Sequence, residues 1–267
     1  MKYMTFNSSC SYAGVANLLS LEGIDVSDRD IALGIGSPYI FASDGGAYIA
    51  GAMLQTAEWF DLFLNRIGFE LKEDKFERED VPERLRNGGP AMLGLRVGEF
   101  GKHAVIYTGV ENYRLHFINN KRENSPEPEA LDLAGGELID SLDDMVVVAH
   151  IERITPRDVD NEPYVRASLN VLENLRNDLV EFCGLMKTPA ELRTAMSPLF
   201  RALLVDALTM TEIIDEEAIH EKLKILQGQF MAAVKLNEPL RLDTILDMSL
   251  LNSTIDDYTD IIGKKLR

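Results

Sequence analysis

Glycine thins out sharply along this chain. Of 19 glycines in 267 residues, 16 lie before residue 140, leaving Gly184, Gly228 and Gly263 for the remainder. Glycine adopts the backbone conformations that tight turns demand and weakens helix interiors, so the two parts obey different rules. Up to about Ile154, short apolar runs alternate with turn signals at Asp44-Gly45-Gly46, Asn87-Gly88-Gly89-Pro90 and Ala134-Gly135-Gly136. That punctuation belongs to a mixed helix and strand domain. Beyond Pro163 the pattern is helical.

In the first part, 11–21 and 44–68 carry small and apolar residues at helical spacing, the latter around Met53, Trp59, Phe60, Phe63 and Ile67, and both are predicted helices. A short charged helix follows at 81–86. Strands are predicted at 90–97, 103–110, 114–118 and 145–151, the middle two joined as a hairpin through Glu111-Asn112-Tyr113. A flexible turn is expected at 98–102 and an exposed loop at 123–129. Consecutive helices followed by consecutive strands indicate an α+β domain with an antiparallel sheet, spanning 1–154. Four helices, at 164–185, 189–214, 216–236 and 240–266, are expected to make an all-α domain over 163–267. The proline-bearing, charged stretch 153–163 is the expected linker. No internal repeat or low-complexity tract is evident.

Charge narrows the possible partners. Forty-four Asp and Glu against 27 Lys and Arg give a net charge of −17. Phosphate backbones and anionic lipid would repel such a chain, so neither nucleic acid nor a membrane surface is expected to bind it. Two cysteines are too few for a disulfide framework or a thiolate metal site. The first ten residues hold one lysine and no apolar core of signal-peptide length. No window approaches the roughly 18 continuous apolar residues of a membrane span. The expected setting is cytoplasmic.

Cys10 precedes the first helical run. Unpaired backbone N–H groups and the positive end of the helix dipole favour a thiolate over a thiol at such a position. A thiolate needs a base to pair with and later to protonate a leaving group. His103 suits that role: it opens the strand HAVIYTG after a turn, and small Ala104 beside it leaves room for the imidazole. A third group must hold the far ring nitrogen. In an antiparallel hairpin the start of one arm lies opposite the end of the other, so Asn119 or Asn120 is expected to reach His103. Cys183 sits on an apolar helical face and reads as core. His116, His150 and His220 have no companion at ligand spacing. With no HExxH and no phosphate-cradling glycine motif, neither a metal nor a cofactor is expected.

An early cysteine opening a helix, a His-Ala-Val strand with glycine six residues after the histidine, and an asparagine sixteen residues after it resemble the papain-like cysteine enzymes. Here these are Cys10, His103 to Gly109, and Asn119, with Asn120 the alternative orienting residue. The stretch Leu85-Arg86-Asn87-Gly88-Gly89-Pro90-Ala91-Met92-Leu93 is similar to the same part of the bacteriocin-processing peptidase domains. Together with a helical second half, the arrangement looks most like the butirosin-biosynthesis acyltransferase group, which moves an acyl chain from a carrier-protein thioester to an amine. The resemblance covers about residues 4–150 by motif and the rest by architecture. It implies a papain-like fold and a Cys-His-Asn triad. One departure stands out: the peptidases have a glutamine six residues before the cysteine, where it donates to the oxyanion, and this chain has Met4. Asn7 is the substitute expected here, beside the backbone N–H of Cys10.

The expected activity is thiol-dependent acyl transfer or hydrolysis through an acyl-enzyme, acting on a small-molecule amine, a peptide or an acyl thioester, in the manner of secondary-metabolite biosynthesis. Asp44, Gly45, Gly46 and Tyr48 are expected to line the acyl or acceptor pocket. The alternative expectation is a catalytically inactive papain-like fold that serves as a binding or assembly module. A further expectation is a homodimer joined through the helical domain.

Overall fold

The computed structural model describes residues 1–97, 101–122, 125 and 129–267. In chain order it contains α1 (Cys10–Leu21), α2 (Asp28–Ile35), β1 (Phe41–Asp44), β2 (Ala47–Ala50), α3 (Ala57–Leu64), β3 (Phe69–Glu77), α4 (Val81–Asn87), β4 (Ala91–Arg96), β5 (Lys102–Glu111), β6 (Arg114–Asn119), β7 (Ala130–Leu133), α5 (Gly135–Asp140), β8 (Met145–Arg153), α6 (Glu162–Gly184), β9 (Met186–Lys187), α7 (Pro189–Ala195), α8 (Leu208–Ile213), α9 (Glu217–Lys235), β10 (Leu240–Arg241) and α10 (Met248–Lys265). Two compact units result: Met1–Ile35 with Gln55–Val159, and Gly36–Leu54 with Asp160–Arg267. The turn expected at 98–102 and the loop at 123–129 fall partly outside the described residues.

The first unit is α+β. Its six-stranded sheet has the order β3-β8-β4-β5-β6-β7, with every neighbouring pair antiparallel. The register Leu93↔Val105 and Tyr107↔Phe117 puts Leu93, Leu95, Val105, Tyr107 and Phe117 on one face, because side chains alternate along a strand. Val81 and Leu85 of α4 and Leu138 of α5 bury that face. On the other face, α1 comes close to Met92. A Cβ on Gly14 would run into the Met92 sulfur, so a side chain there would push the helix off the sheet. The β5–β6 hairpin closes through Asn112 and Tyr113, both at positive φ (49° and 65°), as the twist of paired strands requires.

Strand β3, FELKEDKFE, is too charged to read as a strand from its pattern. It lies at the margin of the sheet, where charged residues on the open side discourage pairing with another chain.

The second unit is a helical bundle with a hairpin. Its helices fall where the periodicity predicts, with one difference, and a second difference concerns a helix of the first unit. The helix expected over 240–266 starts only at Met248. Leu240 and Arg241 instead pair with Lys187 and Met186, and Asp247 caps α10 by accepting the Leu250 N–H at 2.9 Å. The helix expected over 44–68 starts only at Ala57, because Gly45 and Gly46 (φ 54° and 84°) make a two-residue turn between β1 and β2. That hairpin is built into the bundle. The Phe41 N–H donates to Ser168 Oγ at 2.8 Å, and the Phe41 ring meets Tyr258 edge-on at 5.3 Å.

Between α7 and α8 the backbone widens into π-helical turns over Met196–Phe200 and Ala202–Ala207. Pro198 lies in the first and has no N–H to continue an α-helical ladder. Asp206 lies in the second, 1% exposed, with Arg201 Nε 3.5 Å away, too far for a well-formed hydrogen bond. Burial pushes its carboxyl from 3.8 up to about 6, against the pull of Arg201. The folded protein therefore holds this proton more tightly than the unfolded chain. The resulting stability is full below about pH 4 and is lost as pH rises through about 6. Asp206→Asn is expected to be about 2 kcal/mol more stable than wild type at pH 7.5, with the difference shrinking toward pH 4. Urea unfolding at both pH values measures it, and a difference independent of pH would refute it.

Candidate active site

Cys10 is the first residue of α1, and the segment before it is fixed from several sides. Asp28, sealed from solvent at the start of α2, accepts from the Thr5 N–H (2.7 Å), Thr5 Oγ1 (2.7 Å) and Ser9 Oγ (2.9 Å). Ser8 takes φ 60°, a left-handed conformation that a non-glycine residue adopts at some cost. Gln55 steadies it: its Nε2 donates to the Ser8 carbonyl at 3.1 Å, and its Oε1 accepts from Ser11 Oγ at 3.1 Å. Residues Tyr12 to Leu19 of α1 are all buried, with Tyr12 edge-on to Phe6 and Phe60. The helix is therefore anchored in the core, while Cys10 at its tip is half-buried. A helix start of this kind presents unpaired backbone N–H groups to whatever occupies it.

His103 stands near the start of β5, opposite Leu95 of β4. The β5–β6 register ends at Val105↔Asn119, so β6 does not extend alongside His103. Alternation assigns His103, Val105 and Asn119 to the face that α4 and α5 cover and Ala104 to the face of α1, so His103, second residue of β5, meets the cavity of Cys10 only at the end of its strand. The two asparagines at this corner differ. Asn120, with no exposed surface, donates from Nδ2 to the Ala104 carbonyl (2.6 Å) and the Cys10 carbonyl (3.1 Å), and its Oδ1 accepts from Asn17 (2.7 Å). It joins the backbone of α1 at the cysteine to the backbone of β5 next to the histidine. Asn119 is equally buried, and neither polar atom of its side chain has a hydrogen-bond partner among the described residues.

Cys10 and His103 line one cavity of about 340 Å³, together with Ser11, Gln55, Met92 and Ala104. Met145 and Val147 of β8, both exposed, continue its apolar wall. Asn7 is not part of this lining: it is exposed, and its Oδ1 accepts from Arg122 Nη2 at 2.6 Å. Gln55 is the amide side chain in the cavity. Sequence reading missed it because it lies 47 residues from Ser8, in a stretch with no local sign of an active-site role. Gly46 and Tyr48 line a different cavity, inside the second unit, and Asp44 and Gly45 sit at the tip of the same hairpin.

The remaining histidines have partners of their own. His116 pairs with Asp132, His150 Nε2 lies 3.4 Å from Glu152, and His220 Nδ1 lies 3.0 Å from Thr211 Oγ1. Among the described residues no group of three or more His, Cys, Asp or Glu side chains is placed to hold a metal ion. No helix among them is long and apolar enough to cross a membrane. Burial pushes the Cys183 thiol up to about 12, with Asp243 adding to the effect, so this second cysteine stays protonated and unreactive.

No protein-family model matches the chain, and no curated protein matches it. Among solved structures it is similar to the peptidase domain of Streptococcus ComA, described as a bi-functional ABC transporter involved in a quorum sensing pathway. The similarity amounts to 13% identity and a TM-score of 0.38, over 56% of this chain and 96% of that one.

Proposed function

We propose that the first unit is a papain-like thiol enzyme that transfers or hydrolyses an acyl group. The observation that carries this reading is the shared cavity of Cys10 and His103, with Asn120 bridging the Cys10 and Ala104 carbonyls. In the reaction, the Cys10 sulfur attacks the acyl carbonyl and forms a carbon–sulfur bond, with His103 holding the thiol proton. The leaving amine or thiol departs with that proton. An amine or water then attacks the thioester, giving its proton to His103, which returns it to the sulfur as the product leaves. The backbone N–H of Cys10 faces the developing oxyanion.

Asn119 is the residue to hold the imidazole. Its sealed, unbonded amide gains a partner when the ring is protonated and turned toward it. That same unbonded state favours the second reading, an inactive module in which Asn119 does not orient His103. A labelling experiment separates the two. At pH 6, iodoacetamide is expected to alkylate Cys10 faster than free cysteine, leave Cys183 untouched, and lose that advantage in His103→Ala. Labelling of Cys10 no faster than free cysteine supports the inactive module.

A further inference from the structure

A second cavity lies within the second unit and has no part in the thiol chemistry. It encloses about 620 Å³ between the β1–β2 hairpin, the C-terminal end of α6, and α7 with the π-helical turn after it. Its floor is apolar, built chiefly from Phe182, Leu185 and Leu199, and Leu185 remains 51% exposed. Phe182 is held in place edge-on to Phe200 at 5.6 Å. The turn containing Pro198 is wider than an α-helical turn, which shapes one wall. Such π-turns recur at functional sites.

The charged groups of the lining are predominantly acidic: Asp178, Glu181 and Glu191 against the single ammonium of Lys187. Asp178 and Glu181 stand three residues apart on one face of α6, a like-charge spacing that is unfavourable by itself, and neither has an ion-pair partner among the described residues. Tyr48 Oη donates to Asp178 Oδ2 at 2.6 Å and fixes the carboxylate at the mouth. Burial, with Asp178 adding to it, pushes the Tyr48 hydroxyl up to about 12, so it remains a donor throughout the neutral range. The Lys187 ammonium lies 4.5 Å from the centre of the Phe182 ring, which shows that a primary ammonium fits against the aromatic face.

The geometry points to a binding site for a hydrophobic primary amine, its apolar body on Phe182, Leu185 and Leu199 and its ammonium between Asp178 and Glu181. An anion would meet the carboxylates of Asp178, Glu181 and Glu191 against the one ammonium of Lys187, and a neutral ligand would leave Glu181 without a counter-charge. A short amine would gain nothing from the floor. The site is independent of the proposed acyl transfer.

Calorimetric titration of the full chain with octylamine, ethylamine, octanol and octanoate tests it. Octylamine is expected to bind saturably at one site, about tenfold or more tighter than each of the other three. Asp178→Asn and Glu181→Gln, both exposed positions that should not disturb folding, are each expected to weaken it by about fivefold. Cys10→Ala should bind as wild type does, which keeps this result apart from the fate of the thiol reading. Equal binding of ethylamine would show only attraction to an acidic surface and would overturn the site. So would equal binding of octanoate, indifference to both carboxylate substitutions, or no saturable binding.

Discussion

Cys10→Ala is expected to abolish turnover of an activated acyl thioester, with a loss on the order of 10⁴–10⁶ in rate, the scale seen when a covalent nucleophile is removed. The side chain is half-buried at the tip of a helix whose next turns are buried, so its removal leaves little cavity and the variant should fold normally. His103→Ala should fall almost as far, because nucleophile and base act as a unit. Mass spectrometry of the wild type with the thioester should show one acyl group on Cys10 and none on Cys183. If the wild type never acylates while its fold is intact, the catalytic reading fails. If Cys10→Ala turns over as well as wild type, the chemistry resides elsewhere.

Asn120→Ala is expected to cost about 3–5 kcal/mol of stability, far more than the loss of one ordinary hydrogen bond. The substitution takes a buried donor from the Ala104 carbonyl, an acceptor from the buried Asn17 amide and the second donor of the Cys10 carbonyl, and leaves the space of a sealed side chain empty. Each buried polar group left unpaired costs about 1–3 kcal/mol. The neighbouring Asn119→Ala should behave in the opposite manner. Its amide makes no hydrogen bond among the described residues, so removing it relieves a buried polar group and should change stability by less than about 1 kcal/mol. In the acyl-transfer reading it should still lower turnover by about 10²-fold through loss of imidazole orientation. Urea midpoints for the two variants, with thioester turnover beside them, check both statements. Equal destabilisation by the two would show that Asn120 is not the tie between α1 and β5.

The amide of Asn120 also shows where a reading of the residues stops. Sequence spacing admitted either asparagine beside His103, and the two differ by one position on a strand end. Register decides between their roles: Asn119 ends the β6 ladder opposite Val105, while Asn120 has left the ladder and turned to α1. Its contact with Cys10 spans 110 residues, and no local pattern reports such a pairing. Asn7 was expected near the oxyanion because it is close to Cys10 in sequence. Arg122, distant in the chain, holds it elsewhere. Tyr48 belongs to a glycine-rich stretch expected to line the acyl or acceptor pocket, whereas it lines a separate cavity in the helical unit and not the one that holds Cys10 and His103.

What the sequence determined by itself are features whose causes lie within about ten residues: the strands of the sheet from β4 to β6 and β8, the hairpin at Asn112 and Tyr113, the four helical runs of the second part, and a cysteine at a helix start. Periodicity, turn glycines and capping residues act over that range, and they leave their record in neighbouring positions. The tertiary structure decided which distant groups meet. It assigned residues 36–54 to the helical unit, put Gln55 rather than Asn7 in the thiol cavity, and made β3 a strand despite its charges by setting it at the sheet margin. Those outcomes depend on burial and hydrogen bonding between segments tens of residues apart, whose energies exist only once the chain has folded.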